Sequence, residues 1–393
     1  MATEIGDNAI ARRSLVVRDA LSLLTISLIT GLLFACTLFL FRSFSTHRAE
    51  LAQRWSDRGR RALLANRPQE AIADLHAALL YSPATREYEL LLAQALGQAG
   101  RTEESYNYFL GLHETAPGDG DINLALARLE SAKGDRDQAV ENYRAAIYGT
   151  WSQGGGVERR AAVRTELARY LIVQHDFQTA RLELLIAGGN TSDSYERDMN
   201  FGHLFEEAQD LRDAAAYYQK AIATRPDDTQ ALENAGRVAY ALADYTTAHK
   251  LLDRAAALRT RERSPQAAAD ASIARNAERL LALNPSLSLP PSQRVARILT
   301  LRAIAKKRLD ACTQRTGVQP SAALQAIAAR WTGPDATSNA ATLLRDPVRQ
   351  DAALKLAFDT ERELESQCGP ASGDDALLLR LAQPQKEGAA SHG

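Results

Sequence analysis

The sequence predicts an all-α protein: a row of repeated helix pairs behind one membrane-spanning helix, closed by further helices that lack the repeat. Three observations carry this. Small residues recur every 34 positions, apolar residues fall at helical spacing around them, and a run of 22 residues near the N-terminus carries no charge. The repeat is clearest in Tyr195–Pro226, which reads as two helices back to back. The first carries Phe201, Gly202 and Phe205; the second carries Ala214, Tyr218 and Ala221 and stops at Pro226. Gly202, Ala214 and Ala221 let two helix backbones approach closely, and Phe201, Phe205 and Tyr218 fill the seam that remains.

Residues 1–19 form a polar tail with Arg12, Arg13 and Arg18. Residues 20–41, ALSLLTISLITGLLFACTLFLF, then run uncharged for long enough to cross a hydrocarbon core as a helix. A cleaved signal peptide would have a shorter apolar region ending in a small-residue cleavage site, which this run lacks. Arg12-Arg13 follows a twin-arginine signal only faintly. Leu33–Cys36 is an equally faint lipobox, because Cys36 is followed by more apolar residues. An uncleaved single-pass anchor is expected. Arg42, Arg48 and Arg54 balance the arginines before the run, so the positive-inside rule does not orient it. A short tail inside and a large domain outside is the commoner arrangement. Abundant Ala and an excess of Arg over Lys suggest a bacterial gene. Together these give an inner-membrane protein with its C-terminal domain in the periplasm.

Residues 42–51 are a short polar lead, helical and continuous with the repeats that follow. Stepping by 34 from Ala71 gives Ser105 and Ala139; stepping by 34 from Ala180 gives Ala214 and Ala248. The one step of 41, from Ala139 to Ala180, places seven extra residues in the glycine-rich stretch near 151–158, read as a flexible insertion. A second small position follows in register at Ala78, Ala146, Ala187, Ala221 and Ala255, with Leu112 the large exception. Between them stands a large residue: Leu75, Phe109, Tyr143, Leu184, Tyr218 and Leu252. The first helix of each unit has its own small residue at Gly59, Ala93, Ala127, Ala168, Gly202 and Gly236, and the first unit carries Trp55. Pro83, Pro117 and Pro226 end units.

On these residues, 52–260 resembles the tetratricopeptide repeat (TPR) family, in six units. The resemblance implies a right-handed α-solenoid, whose units are stabilised by stacking because none can bury its apolar face alone. It also implies that the residue after the first-helix small position points into the concave groove, where the family often has Asn to bind a peptide backbone. Those positions are Arg60, Gln94, Arg128, Arg169, His203 and Arg237. Arginine offers a planar fork for carboxylate or phosphate, so the groove is expected to receive an acidic or extended segment of a partner protein. The plainer alternative is that each Arg pairs with a neighbouring carboxylate such as Glu206 or Glu233. Ser56 and Arg60 depart from the Lys and Asn pattern of carboxylate-clamp TPRs, so recognition of chaperone C-termini is not expected.

Beyond the repeats, residues 264–368 read as a helical cap. Ser264–Leu283 has helical spacing and fits a degenerate seventh first helix; Asn284–Ser292 is a proline-rich break; Gln293–Thr313, Ala322–Trp331 and Pro347–Gln367 are further helices. Cys312 and Cys368 fall near the ends of two of these. Outside the cytoplasm they are a candidate disulfide, worth about 4 kcal/mol by chain entropy; otherwise they are two unrelated buried thiols. Residues 369–393 read as a mobile tail with a turn at 376–382.

No catalytic, cofactor or metal constellation emerges. Gly154–Gly156 lacks the lysine of a phosphate-binding loop, and the seven histidines do not pair with ligand spacing. His203 with Glu206 and Glu207 reads as a surface pair, and Asp121 as the N-cap of a helix starting at Ile122. A net charge of −1 gives no argument for nucleic acid. The expectation is a non-enzymatic, membrane-anchored scaffold for protein–protein interaction. It is similar to bacterial envelope proteins that tether a TPR array by one helix, in cell-envelope or secretion-related assembly. The lipopolysaccharide-assembly members of that group carry a C-terminal CxxC…CxxC module that is absent here. The alternative is an accessory or regulatory subunit of a membrane enzyme complex, with a small ligand in a deep apolar pocket of the cap. A purely structural oligomer would need a convex apolar patch.

Overall fold

The computed structural model describes residues 3–151, 154, 156–314 and 321–383, without the side chains of 3–20. It consists of helices, with no strand among the described residues, and divides into two compact bodies, Met1–Val163 and Arg164–Gly393. In the first body, helix α1 (Thr3–Leu64) is followed by α2 (Pro68–Tyr81), α3 (Arg86–Gln98), α4 (Thr102–Thr115), α5 (Gly120–Lys133) and α6 (Arg136–Tyr148). Helix α7 (Gly156–Val173) begins there and leads into the second body. Then come α8 (Phe177–Gly189), α9 (Tyr195–Glu207), α10 (Leu211–Thr224), α11 (Thr229–Ala241) and α12 (Tyr245–Arg261). These make six consecutive helix pairs of the tetratricopeptide kind.

The small positions are where the helices meet. Ala71, Ser105, Ala139, Ala180, Ala214 and Ala248 are all buried, as are the large residues four positions on. A Cβ added to Gly59 would lie 2.7 Å from the Leu75 side chain, and one on Gly236 would lie 2.6 Å from Leu252. Gly202 lies in the same way beneath the Tyr218 ring. In these three pairs the large residue of the second helix therefore sits directly on the glycine of the first. Tyr217, outside the repeat phase, adds a stack of its own: its ring centroid is 5.3 Å from those of both Phe201 and Phe205, and its hydroxyl fills the space beside Gly188.

The turns repeat as strictly as the packing. Each pair turns through one residue with positive φ: Asn66, Gly100, Gly134, His175, Gln209 and Ala243. The next residue donates its N–H to a carbonyl five positions back, as in Asp210 N to Phe205 O at 2.8 Å and Asp244 N to Ala239 O at 2.9 Å. This is the Schellman closure of a helix C-terminus. In four of the six turns that residue is also an Asp whose carboxylate caps the second helix: Asp135, Asp176, Asp210 and Asp244. At the start of α5 the cap is Asp119, which accepts from Ile122 N at 3.0 Å. The expected cap, Asp121, is instead inside the first turn, because the helix starts two residues earlier at Gly120.

Helix α13 (Ala267–Leu283) packs on α12, with Arg259 donating to Asp270 at 2.8 Å and to Glu233 at 2.6 Å. The last two prolines of the break serve the next helix: Pro290 caps α14 (Pro291–Thr313) and Pro291 opens it. A short crossover of α15 (Ala322–Arg330), α16 (Pro334–Thr337) and α17 (Ala340–Arg345) leads to α18 (Pro347–Cys368). Residues 374–382, where the expectation is a turn at 376–382 within a mobile tail, form helix α19 (Asp374–Ala382). Leu378 is fully buried and Leu377 nearly so, and Arg279 holds Asp374 through two bonds of 2.9 and 2.7 Å. Residues 384–393 of that tail, with 1–2, 152–153, 155 and 315–320, lie outside the described residues.

The packing gives a direct expectation. Gly202→Val, forced against Tyr218, lowers the unfolding free energy by roughly 1–3 kcal/mol in urea titration. Gly111→Ala, with no atom within 4 Å of the added Cβ, leaves stability unchanged or raises it by up to about 1 kcal/mol.

Candidate functional site

In the first body, residues of α1, α3 and α5 and the first turn of α7 line a cavity of about 600 Å³. All are first helices of their repeats, which the repeat geometry sets side by side. Arg60 and Gln94, two of the predicted rungs, stand in its wall. The third of this body, Arg128, is exposed on α5 and does not line it. The wall also contains Arg86 and Arg159, which the 34-residue phase does not select. Each lining arginine faces a carboxylate: Arg60 faces Glu87, Arg86 faces Asp119, and Arg159 donates to Asp121 at 2.8 Å. Leu90 and Leu91 supply apolar surface, and the Gln94 amide is exposed beside them. The cavity is thus charge-balanced, with ion pairs around an apolar strip.

Arg159 reaches this cavity because the insertion is pinned at its start. Gly120 N donates to Thr150 O at 2.8 Å, and Thr150 N donates to Gly118 O at 2.9 Å, a single parallel β-bridge. The next residue, Trp151, packs so tightly over Gly120 that no Cβ would fit, and Arg159 stacks on the Trp151 ring at 5.2 Å. The sequence reading of a flexible insertion misses this, since a pairing over some thirty residues leaves no local pattern.

In the second body the remaining rungs are joined to their neighbours along the row. Arg169 donates to Asn200. His203 lies 3.1 Å from the Tyr218 hydroxyl through Nδ1 and 3.4 Å from the Asn234 amide through Nε2. Arg237 forms an ion pair with Glu206 at 2.8 Å, and Tyr218 Oη donates to the other oxygen of that carboxylate at 3.0 Å. Burial, and secondarily the Glu206 charge, push the Tyr218 phenol above its ordinary range. Glu206 is thus one of the two carboxylates expected to pair with a rung; the other, Glu233, serves Arg259 instead. Elsewhere in this body α8 exposes Leu182, Leu185 and Ile186 on one face.

In the cap, α14 and α18 run parallel. Arg294 near the start of α14 meets Asp351 near the start of α18 at 2.9 Å. Arg308 meets Glu361 at 2.5 Å, and Cys312 lies against Cys368 where both helices end, with Cα atoms 5.9 Å apart. That separation suits a disulfide. Two cavities of about 450 and 350 Å³ adjoin these helices. The larger is lined by Lys307, Arg308, Asp374 and Asp375, and the smaller mixes Tyr245, Leu354 and Phe358 with Arg294, Asp351 and Arg380. Neither is the apolar pocket that a ligand-binding cap calls for. Among the described residues no three His, Cys, Asp or Glu side chains gather as metal ligands.

No protein-family model matches the sequence, and no curated protein matches it. Solved structures do resemble it. A tetratricopeptide repeat protein from Parabacteroides merdae is 12% identical over 57% of this chain and 93% of its own, with a TM-score of 0.38. YrrB, a TPR protein described as having an unusual peptide-binding site, is 15% identical over 52% and 97%, with a TM-score of 0.38. PilW, a type IV pilus biogenesis factor, is 15% identical over 57% and 96%, with a TM-score of 0.39. At such identities and scores none of them carries a function to this chain.

Glu361 makes the cap pH-dependent. Burial raises its carboxyl to about 7 against the opposing pull of Arg308, and its Oε1 has no hydrogen-bond partner among the described residues. The folded state therefore holds a proton that the unfolded chain, at about 4.3, has released. The resulting stability is present in acid and is lost as pH rises through about 7. Thermal melts between about pH 5 and pH 8 should show the second body losing stability with rising pH, and Glu361→Gln should flatten that slope.

Proposed function

We propose that this chain is a membrane-anchored repeat scaffold that holds an extended segment of a partner protein against the first helices of its repeats. The cavity of about 600 Å³ in the first body carries the reading. It is open, sits on the face where successive first helices align, and offers the Gln94 amide beside Leu90 and Leu91 with a balanced rim of ion pairs. An extended peptide matches this: backbone groups to the amide, an apolar side chain on the leucines, charged neighbours exchanging with the rim. Arg60, Gln94, Arg128, Arg169, His203 and Arg237 are the proposed contact residues, with Arg86 and Arg159 added from the geometry.

Helix α1 supplies the anchor in this reading: from Leu21 onward it is long and apolar enough to cross a membrane. The C-terminal domain lies in the periplasm, an oxidising compartment in which Cys312 and Cys368 form a bridge. The array spans 52–260 and the cap 264–368.

Two measurements test this. A photoreactive amino acid at Gln94 in intact cells should give discrete polypeptide adducts, reduced about tenfold by Arg60→Ala with Arg159→Ala. Yields no higher than those from Leu110, on a second helix of the same body, would reject the groove. Alkylation under denaturing conditions without reductant should then modify Cys36 alone among the three cysteines, and all three after reduction. Three modified thiols without reductant would place the domain in a reducing compartment.

A further inference from the structure

We propose that the loop joining the first two repeats rests on the bilayer that α1 crosses, with the uncharged tip Leu80–Thr85 in the headgroup layer and Arg42 and Arg48 on lipid phosphates. The inference depends on the membrane-anchor reading above. It starts from the continuity of α1, a single helix through both the apolar run and the first repeat. No proline interrupts the sequence between Phe41 and Leu64, and the one glycine there, Gly59, is fixed beneath Leu75. The height of the first repeat above the membrane is therefore set by helical rise.

That height is small. Residues 41–47 are exposed, and Arg48 is the first to be partly covered, donating to Leu80 O at 3.4 Å. One turn further, Ala52 is fully buried with Ala78 and Tyr88. Seven residues separate Phe41 from Arg48, about 10 Å at helical rise. The polar headgroup layer occupies roughly 6 Å on each side of the hydrocarbon core. The end of α2 therefore lies about 4 Å above the outer edge of that layer, and a tilt of α1 toward that side brings it in.

The chemistry of this end matches a lipid surface. Leu80 is 74% exposed, a large apolar side chain at the tip of a helix, and Pro83 and Ala84 are exposed beside it. Leu80–Thr85 has no charge, whereas the equivalent loop of the fifth repeat reads Arg225-Pro226-Asp227-Asp228. Phe44, 64% exposed, lies one turn below Arg48, whose guanidinium is 5.9 Å from its ring. An aromatic ring with arginines at the end of an apolar span is the arrangement that suits the interface, where the ring sits among headgroups and the guanidinium meets phosphate. Carboxylates are missing from 42–49, so nothing there repels an anionic lipid.

The test uses the full chain in nanodiscs containing an alkyne-tagged anionic phospholipid. Photoreactive p-benzoylphenylalanine replaces Ile29 in the apolar run, Leu80, or Leu64, one position per protein. Leu64 is 84% exposed at the far end of the same helix, about 24 Å beyond Arg48, and serves as the control. All three sites are exposed, so folding is preserved. Lipid adducts at 29 and 80, at least tenfold above those at 64, are expected. Adducts at 29 with none above control at 80 would overturn the loop contact and leave the anchor standing. No adduct at 29 would overturn the anchor and the contact together. Arg42→Glu with Arg48→Glu should cut the yield at 80 several-fold, and an unchanged yield would remove the arginines from the interaction.

Discussion

The close approach of two helices over a residue without bulk governs most of what this chain does. Gly202 beneath Tyr218, Gly59 beneath Leu75 and Gly236 beneath Leu252 set the spacing of three helix pairs, and fully buried alanines, Ala93, Ala127 and Ala168, hold the equivalent position in the others. At that spacing the chain must reverse in very few residues, which demands one backbone position in the left-handed region. Four of the six turn residues are not glycine, and each non-glycine residue there costs roughly 1 kcal/mol. The cost is tolerated because the turn closes a helix end with paired backbone groups and brings a fully buried seam together. The aligned faces of the first helices, and hence the cavity beside Gln94, follow from the same spacing.

This seam was legible because packing constrains side-chain volume directly. A position that must be small is written as Gly, Ala or Ser, and a position that must fill is written as Leu, Phe or Tyr, so the period of 34 survives in the letters. The turn was not legible. Asn66, Gly100, His175, Gln209 and Ala243 share a backbone angle and nothing else, because the constraint acts on φ rather than on the side chain. The Asp that follows in four turns was the available signal. Non-local features were missed for a related reason. Trp151 over Gly120, and Arg159 over Trp151, depend on chain segments that meet only in the fold. Helix α19 hid because its few leucines sit between glycine-rich and polar flanks, too short a pattern to stand out from a tail.

The groove also corrects a simple electrostatic picture. A ladder of arginines taken alone suggests a positive channel waiting for an acidic ligand. In the structure Arg60, Arg86 and Arg159 each face a carboxylate, and Arg237 faces Glu206. A ligand would therefore exchange ion pairs rather than neutralise free charge. Such exposed pairs contribute about 0–1 kcal/mol each, so they are easily rearranged and discriminate among partners more than they attract them. Affinity would have to come from the apolar strip of Leu90 and Leu91 and from backbone hydrogen bonds, which favours an extended segment over a compact acidic patch.

The same helix that begins the repeats would also fix them in space. A scaffold joined to its anchor by a flexible linker samples many orientations, and its groove meets partners at any angle. Here Phe41 and Trp55 lie on one helix without a proline between them, and Ala52 is already locked into the first seam. A helix of that kind bends only gently, so any rotation of the first body would be a rotation of the proposed membrane span itself. A loop resting on the headgroups would remove most of the tilt that remains. The cavity lined by α1, α3 and α5 would then present a constant face to a partner held at a constant height above the bilayer. That constancy lowers the orientational entropy lost on binding, and it lets a weak, ion-pair-rimmed groove hold a segment that it would release in solution.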